Sequence, residues 1–204
     1  MLYGIDISNH NNKRIGTQLN AEHLFYTAEF IWMKATEGKD FIDKSVDTYS
    51  EMSRLNDKAV VGYYHYARPD LSEWHEEAKH FVDVVTELVR EHDISRVLLA
   101  LDWEGLALSY SAEWALDWLQ YVEGCTFIKP LIYMSESVAD SSEWEEVVKN
   151  GYGLWVASWN LTDKPNTGAW PFYAFHQYSD SPLDLDCFNG AYHQLIKYTG
   201  DINV

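Results

Sequence analysis

Short runs rich in β-branched and aromatic residues recur along the chain and read as strands at residues 3–8, 30–36, 59–66, 97–104, 130–135, 154–159, 172–179 and 183–188. Segments of helical character separate the first six. The clearest is 72–92, where Trp74, Ala78, Phe81, Val82, Val85, Leu88 and Val89 recur at intervals of three and four behind a candidate Ser72 cap. Similar segments fall at 20–28, 43–56, 111–122 and 137–150. After Trp159 the pattern changes, because 160–171 carries turn formers and 180–182 is too short for a helix. The pattern is five βα units followed by three strands. Such alternation predicts a parallel sheet, and eight strands can close it into a TIM-like α/β barrel whose last helices are missing; an open doubly wound sheet is the competing arrangement.

With 204 residues and 47% apolar or aromatic content, the chain can bury a sizeable core, and we read residues 1–204 as a single domain and expect a monomer. Its 32 acidic and 15 basic residues give a formal charge of −17. That charge repels phosphates and anionic head groups, so neither nucleic acid nor a membrane surface is an expected partner. Cys125 and Cys187 show no metal-binding spacing and read as unpaired, buried thiols. Glycine-rich phosphate loops are absent, and no cofactor is expected. The N-terminus has no basic segment ahead of an apolar run. It therefore reads as lacking a signal peptide, so any export must take another route. The sequon Asn160-Leu161-Thr162 matters only in a eukaryotic secretory pathway.

Acidic residues at strand ends carry the candidate chemistry. Active sites of such barrels assemble at the C-terminal ends of strands, and Asp102 and Glu104, two residues apart at the end of the fourth strand, point to one side. Asp6 lies in the first strand, while Asp184 and Asp186 repeat the two-residue spacing in the last. Barrel closure makes the first and last strands neighbours, so these acids are expected to share one mouth. Glycoside hydrolysis needs one carboxyl protonated near neutral pH and another ionised, and crowding of like charges supplies that division. A single acid at a strand end commonly caps loop N–H groups; two inward pairs point to function. Oxygen clusters also suit Mg²⁺ or Ca²⁺, but no metal motif accompanies them and no catalytic metal is expected.

Seven strings occur in order along the chain: Gly4-Ile5-Asp6-Ile7-Ser8-Asn9-His10-Asn11, Met33-Lys34-Ala35-Thr36-Glu37-Gly38, Val61-Gly62-Tyr63-Tyr64-His65-Tyr66-Ala67-Arg68, Leu101-Asp102-Trp103-Glu104, Leu154-Trp155-Val156-Ala157-Ser158-Trp159, His176-Gln177-Tyr178-Ser179 and Asp184-Leu185-Asp186-Cys187-Phe188. In these the chain resembles the glycoside hydrolase family 25 lysozymes, the muramidases that include Chalaropsis-type enzymes and phage endolysins. The resemblance implies a flattened barrel of the five-plus-three form. It also implies hydrolysis of the β-1,4 bond between N-acetylmuramic acid and N-acetylglucosamine in cell-wall peptidoglycan, in the manner of an endolysin made in the cytoplasm and released during phage lysis, or of an enzyme secreted by another route. By the same resemblance Glu104 is the general acid, with Asp6, Asp102 and Asp184 lining its site. Asp186 falls where the family often carries Asn and stands outside the catalytic set; Asn12 falls where it frequently carries Gly.

Substrate contacts are expected from Tyr64, matched to a family residue near the reacting sugar, and from Tyr133, Trp159 and Gln177 at strand ends in the same tier. Glu37 either bonds substrate or pairs with Lys34, and we favour the site. His10 and His65 read as loop and core hydrogen-bonding residues, and the run Glu143-Trp144-Glu145-Glu146 as a solvated helix face. Two alternatives stand beside this reading. One is a carbohydrate-binding barrel without catalysis; the other is a chitinase-like hydrolase, which shares the Asp-x-Glu pair but not the longer signature upstream of it.

Overall fold

A computed structural model describes residues 1–11, 21–159 and 164–202, and all eight predicted strands form within it. They are β1 (Leu2–Ile7), β2 (Phe30–Glu37), β4 (Val60–Tyr66), β5 (Val97–Asp102), β6 (Leu131–Ser135), β7 (Gly153–Ala157), β8 (Phe175–Ser179) and β9 (Asp184–Phe188). A two-residue strand, β3 (Phe41–Ile42), folds back antiparallel on the end of β2. The Asn12 turn and the Asn160 sequon lie outside the described residues.

Pairing runs β1-β9-β8-β7-β6-β5-β4-β2, and a parallel β1–β2 ladder with Gly4 opposite Phe30 closes the ring. Closure excludes the open sheet. The expectation of a parallel sheet holds for every neighbouring pair of barrel strands except those of β9, which runs antiparallel to both β8 and β1. Its reversal follows from the connection before it, since residues 180–182 are too few to carry the chain back to the other end.

Helices α1 (Ala21–Thr27), α2 (Val46–Ser53), α3 (Trp74–Glu91) and α4 (Ala112–Thr126) match the predicted segments. The fifth is broken into α5 (Glu136–Ala139), a 3₁₀ turn at Ser142–Trp144 and α6 (Glu145–Lys149), in which Trp144 is buried while the neighbouring glutamates stay in water. A short α7 (Tyr192–Leu195) follows the last strand and was not anticipated. Helix α3 begins behind Glu73, whose backbone N–H donates to the Glu76 carboxylate at 3.3 Å, and not behind Ser72. The Ser72 hydroxyl donates to Glu77 instead, at 2.6 Å.

Strand alternation divides the apolar residues into two cores. Outward positions such as Ile31, Met33, Leu99, Leu101 and Val156 pack beneath the helices, while Leu2, Phe30, Trp32, Leu98, Ala100, Leu131, Trp155, Phe175 and Phe188 fill the barrel. Glycines make room for the largest of these. A Cβ on Gly62 would stand 2.3 Å from the Trp32 ring, and one on Gly4 would stand 2.3 Å from the Phe30 carbonyl oxygen. Of the two thiols, Cys187 is buried as expected but Cys125 is exposed, because it sits on the outer face of α4.

Candidate active site

Along each strand the inward positions change from apolar at the floor to polar at one end. β1 reads Leu2, Gly4, Asp6; β2 reads Phe30, Trp32, Lys34; β5 reads Leu98, Ala100, Asp102; β8 reads Phe175, Gln177. Because β9 is reversed, its sequence runs the other way, Asp184, Asp186, Phe188, and delivers Asp184 opposite Asp6 at the same mouth. Glu104 lies two residues beyond the end of β5 but its backbone remains extended, with φ −147° and ψ −175°, so it keeps the inward phase of Asp102. Trp103 fixes that phase from the other side, buried against Trp114 and Trp144 with ring centroids 5.6 and 6.0 Å away. The chain then turns sharply at Gly105, whose φ of +58° favours glycine and where a Cβ would meet the Tyr66 hydroxyl at 2.5 Å.

The mouth opens into a cavity of about 660 Å³. All nine residues predicted for the site line it: Glu104, Asp6, Asp102 and Asp184, with Glu37, Tyr64, Tyr133, Trp159 and Gln177. Gln177 links several of them. Its amide oxygen accepts from the Tyr133 hydroxyl at 3.0 Å and from the Trp159 indole N–H at 3.2 Å, so its nitrogen faces Asp6 and donates to Oδ2 at 2.8 Å. Trp159 is 61% exposed, an indole face held over the mouth by its one polar atom. Glu37 is committed within the protein: Oε2 takes Lys34 at 2.7 Å and Oε1 takes Arg68 at 2.8 Å. His65 is a core residue bonded to Thr36 and Glu77, both at 2.8 Å, whereas His10 lines the cavity.

Lys34, Tyr66, Arg68 and Trp155 also line the cavity, and sequence reasoning did not assign them to it. Lys34 is the inward residue following Phe30 and Trp32, so the alternation that found Asp102 could have found it. Its ammonium sits 4.5 Å from the Tyr66 ring centroid, a cation–π contact inside an otherwise acidic mouth. Arg68 lies beyond β4. Its position is set by a buried latch in which the Glu77 carboxylate of α3 receives the Arg68 backbone N–H at 3.0 Å. Two bonds to Asp70 at 2.9 Å then hold the guanidinium.

Burial raises the pKa of Asp6, Asp102 and Glu104. Repulsion adds to it, from Glu104 on Asp102 and from Asp6 on Glu104, and Lys34 offsets part of the effect at both. Glu104 remains accessible at the mouth while Asp102 is buried below it, and Asp102 Oδ1 has no hydrogen-bond partner among the described residues. Burial also pushes Glu37 up, but its bonds to Lys34 and Arg68 outweigh that and leave it below the usual value. The same acidic surroundings, after burial, push Tyr66 up to about 12. Two adjacent carboxyls that resist joint ionisation, one deep and one accessible, form an acid pair that keeps a proton to higher pH than a free carboxyl would. The described residues contain one group with metal-ligand spacing, Asp47, Glu91 and His92, and none of the three lines the cavity.

A closed β/α barrel with a carboxylate-lined mouth at one end is the architecture of a barrel glycoside hydrolase. The chain belongs to the glycosyl hydrolases family 25, whose pattern matches residues 5–186. It is 30% identical over 183 residues to the uncharacterized protein YegX of Escherichia coli K12, an alignment that spans 85% of this chain but 64% of YegX. An N,O-diacetylmuramidase of Arthroderma benhamiae is 26% identical over 188 residues, 84% of this chain and 77% of that enzyme. Among solved structures, a family GH25 lysozyme from Aspergillus fumigatus superposes with a TM-score of 0.73 at 26% identity, covering 98% of this chain and 99% of that one.

Proposed function

We propose that the protein is a peptidoglycan hydrolase, a lysozyme of the N-acetylmuramidase type that cleaves the β-1,4 bond between N-acetylmuramic acid and N-acetylglucosamine. The observation that carries this reading is the convergence of Glu104, Asp102, Asp6 and Asp184 on one cavity of a family 25 barrel. Glu104, the accessible member of the acid pair, donates its proton to the leaving oxygen. Asp102, beneath it, uses its unpartnered oxygen to orient and polarise the 2-acetamido group of the sugar, whose carbonyl oxygen then attacks the anomeric carbon. Glu104, now ionised, removes a proton from the water that opens the cyclic intermediate. Asp6 and Asp184 supply negative charge toward the developing positive charge on the sugar ring. The exposed Trp159 indole offers a face for stacking on a sugar.

The chain acts, in this proposal, as a single-domain monomer on the bacterial cell wall, in the setting of an endolysin. That setting rests on the sequence resemblance. It predicts lysis from within only when the inner membrane is also permeabilised. The enzymatic reading is tested by release of reducing sugar from purified peptidoglycan and from chitin. Release from peptidoglycan by the wild type, with a steep loss in a folded Glu104→Gln variant, is expected, because Gln keeps the shape but has no transferable proton. Release from chitin alone would favour a chitinase-like enzyme, and binding without release a non-catalytic barrel.

A further inference from the structure

Asp186 lies one inward position below Asp184 and is completely buried. Register places it opposite Gly4 on one side and Gln177 on the other. Its Oδ1 accepts the Trp155 indole N–H at 2.8 Å, while Oδ2 finds no donor among the described residues. Asp6 is nevertheless its diagonal neighbour across the β1–β9 pair, and Gln177, which stands opposite Asp186, is itself bonded to Asp6, so the two carboxyls lie side by side under the mouth. Two carboxylates offer each other only acceptors, so that contact closes only if a proton lies in it. Each carboxyl accepts one N–H, from Gln177 on Asp6 and from Trp155 on Asp186, but Asp6 reaches the cavity while Asp186 is sealed beneath it, so the proton belongs on Asp186. The surroundings agree on every side. Asp6 faces Asp186 from β1, Gln177 from β8, Trp155 and Tyr133 from β7 and β6, and Asp184 from its own strand. Lys34, the buried cation of the mouth, is committed to Glu37.

We propose that Asp186 is held as a neutral carboxylic acid under the site, where its O–H donates to Asp6 and, together with Gln177, fixes that carboxylate ionised and in one orientation. Asp186 is thus a positioning residue acting through Asp6. Burial, and next the neighbouring Asp6 charge, favour the protonated form, while the same contact pulls the pKa of Asp6 back down against its own burial. A carboxyl this deep would be costly as a bare charge and is far less so as a hydrogen-bonded acid.

The proposal rests on the hydrolase reading for its consequence but not for its central observable. Asp186→Asn retains a carbonyl for Trp155 and an N–H donor for Asp6, so we expect kcat on peptidoglycan within about twofold of wild type and an unchanged pH profile. Asp186→Leu keeps the branched outline and loses the donor. Its kcat should fall about ten- to hundredfold with KM little changed, and the acid limb of its kcat profile should move to higher pH, because Asp6 becomes easier to protonate. Infrared difference spectra of wild type minus Asp186→Asn near neutral pH should show the carbonyl stretch of a protonated carboxylic acid. That band is independent of activity and of whether the leucine variant folds, and it would persist even if the protein failed to hydrolyse peptidoglycan. Its absence would overturn the proposal. So would an asparagine variant as impaired as the leucine one, or a folded leucine variant with wild-type kcat and pH profile.

Discussion

Asp102 is where activity and stability should separate most clearly. Its carboxyl is buried, Oδ1 is unpartnered among the described residues, and burial followed by repulsion from Glu104 pushes its pKa well above the ordinary 3.8. A carboxyl whose folded pKa exceeds its unfolded value resists ionisation in the native state. It therefore costs nothing below the ordinary carboxylate range and takes away stability as pH rises from there through the folded value. Asp102→Asn removes that charge without changing shape, and the surrounding carboxylates supply acceptors for the new N–H groups. Each unit of pKa displacement is worth about 1.4 kcal/mol, and desolvating an unpaired polar group costs on the order of 1–3 kcal/mol. The variant should gain at least ~1 kcal/mol near neutral pH, which raises Tm by roughly 2–4 °C for each kcal/mol in a chain of this size. Thermal unfolding followed by circular dichroism, near neutral pH and again below 3.8, checks both magnitude and sign. The gap should narrow in acid while hydrolysis is lost at all pH values. A variant that melts below wild type near neutral pH, or a gap of the same size at both pH values, would refute the reasoning.

Gln177→Leu removes the amide that donates to Asp6 at 2.8 Å and receives Tyr133 and Trp159. Losing one hydrogen bond to a charged group, worth about 1.5–3 kcal/mol, should lower kcat by roughly ten- to hundredfold; steady-state kinetics showing kcat unchanged would contradict the role given to this hub. A formal charge of −17 is repelled by phosphate-bearing wall polymers. Screening over about 10 Å at 0.1 M salt should therefore speed clearing of intact walls from very low to moderate salt, and a clearing rate that falls monotonically as salt rises would contradict this. Attack by the substrate's own acetamido group retains configuration, so NMR before mutarotation should detect the β anomer first. A first-formed α anomer would show inversion.

Alternation along single strands made much of this legible. The pattern Leu98, Ala100, Asp102, Glu104 needs only a period of two to put both acids on one face, and Gly4 and Asp6 repeat it. Chain direction is another matter. Nothing in Asp184-Leu185-Asp186 says that β9 runs antiparallel, yet that reversal is what brings Asp184 rather than Phe188 to the mouth. The short 180–182 connection was the signal available. Partners set by three-dimensional closure were also hidden. The position of Glu37 allows either substrate or Lys34 as its partner and favours the site, and only the folded chain brings Arg68 to its second oxygen, through a backbone bond to Glu77 on a helix. The same holds for Gln177, whose sequence position marks a strand end but not a junction of Tyr133, Trp159 and Asp6. The break between α5 and α6 was missed because the apolar spacing continues across it while Ser141 and Ser142 end one helix turn and begin the next.

The most direct test of the central claim is mass spectrometry of the fragments released from purified cell walls. Cleavage of the proposed bond frees the anomeric carbon of N-acetylmuramic acid, so borohydride reduction before analysis should place the reduced end on that sugar in every new fragment, and Glu104→Gln should release none. Fragments reduced at N-acetylglucosamine, or fragments cut in the peptide stems with no new reducing end, would contradict the account.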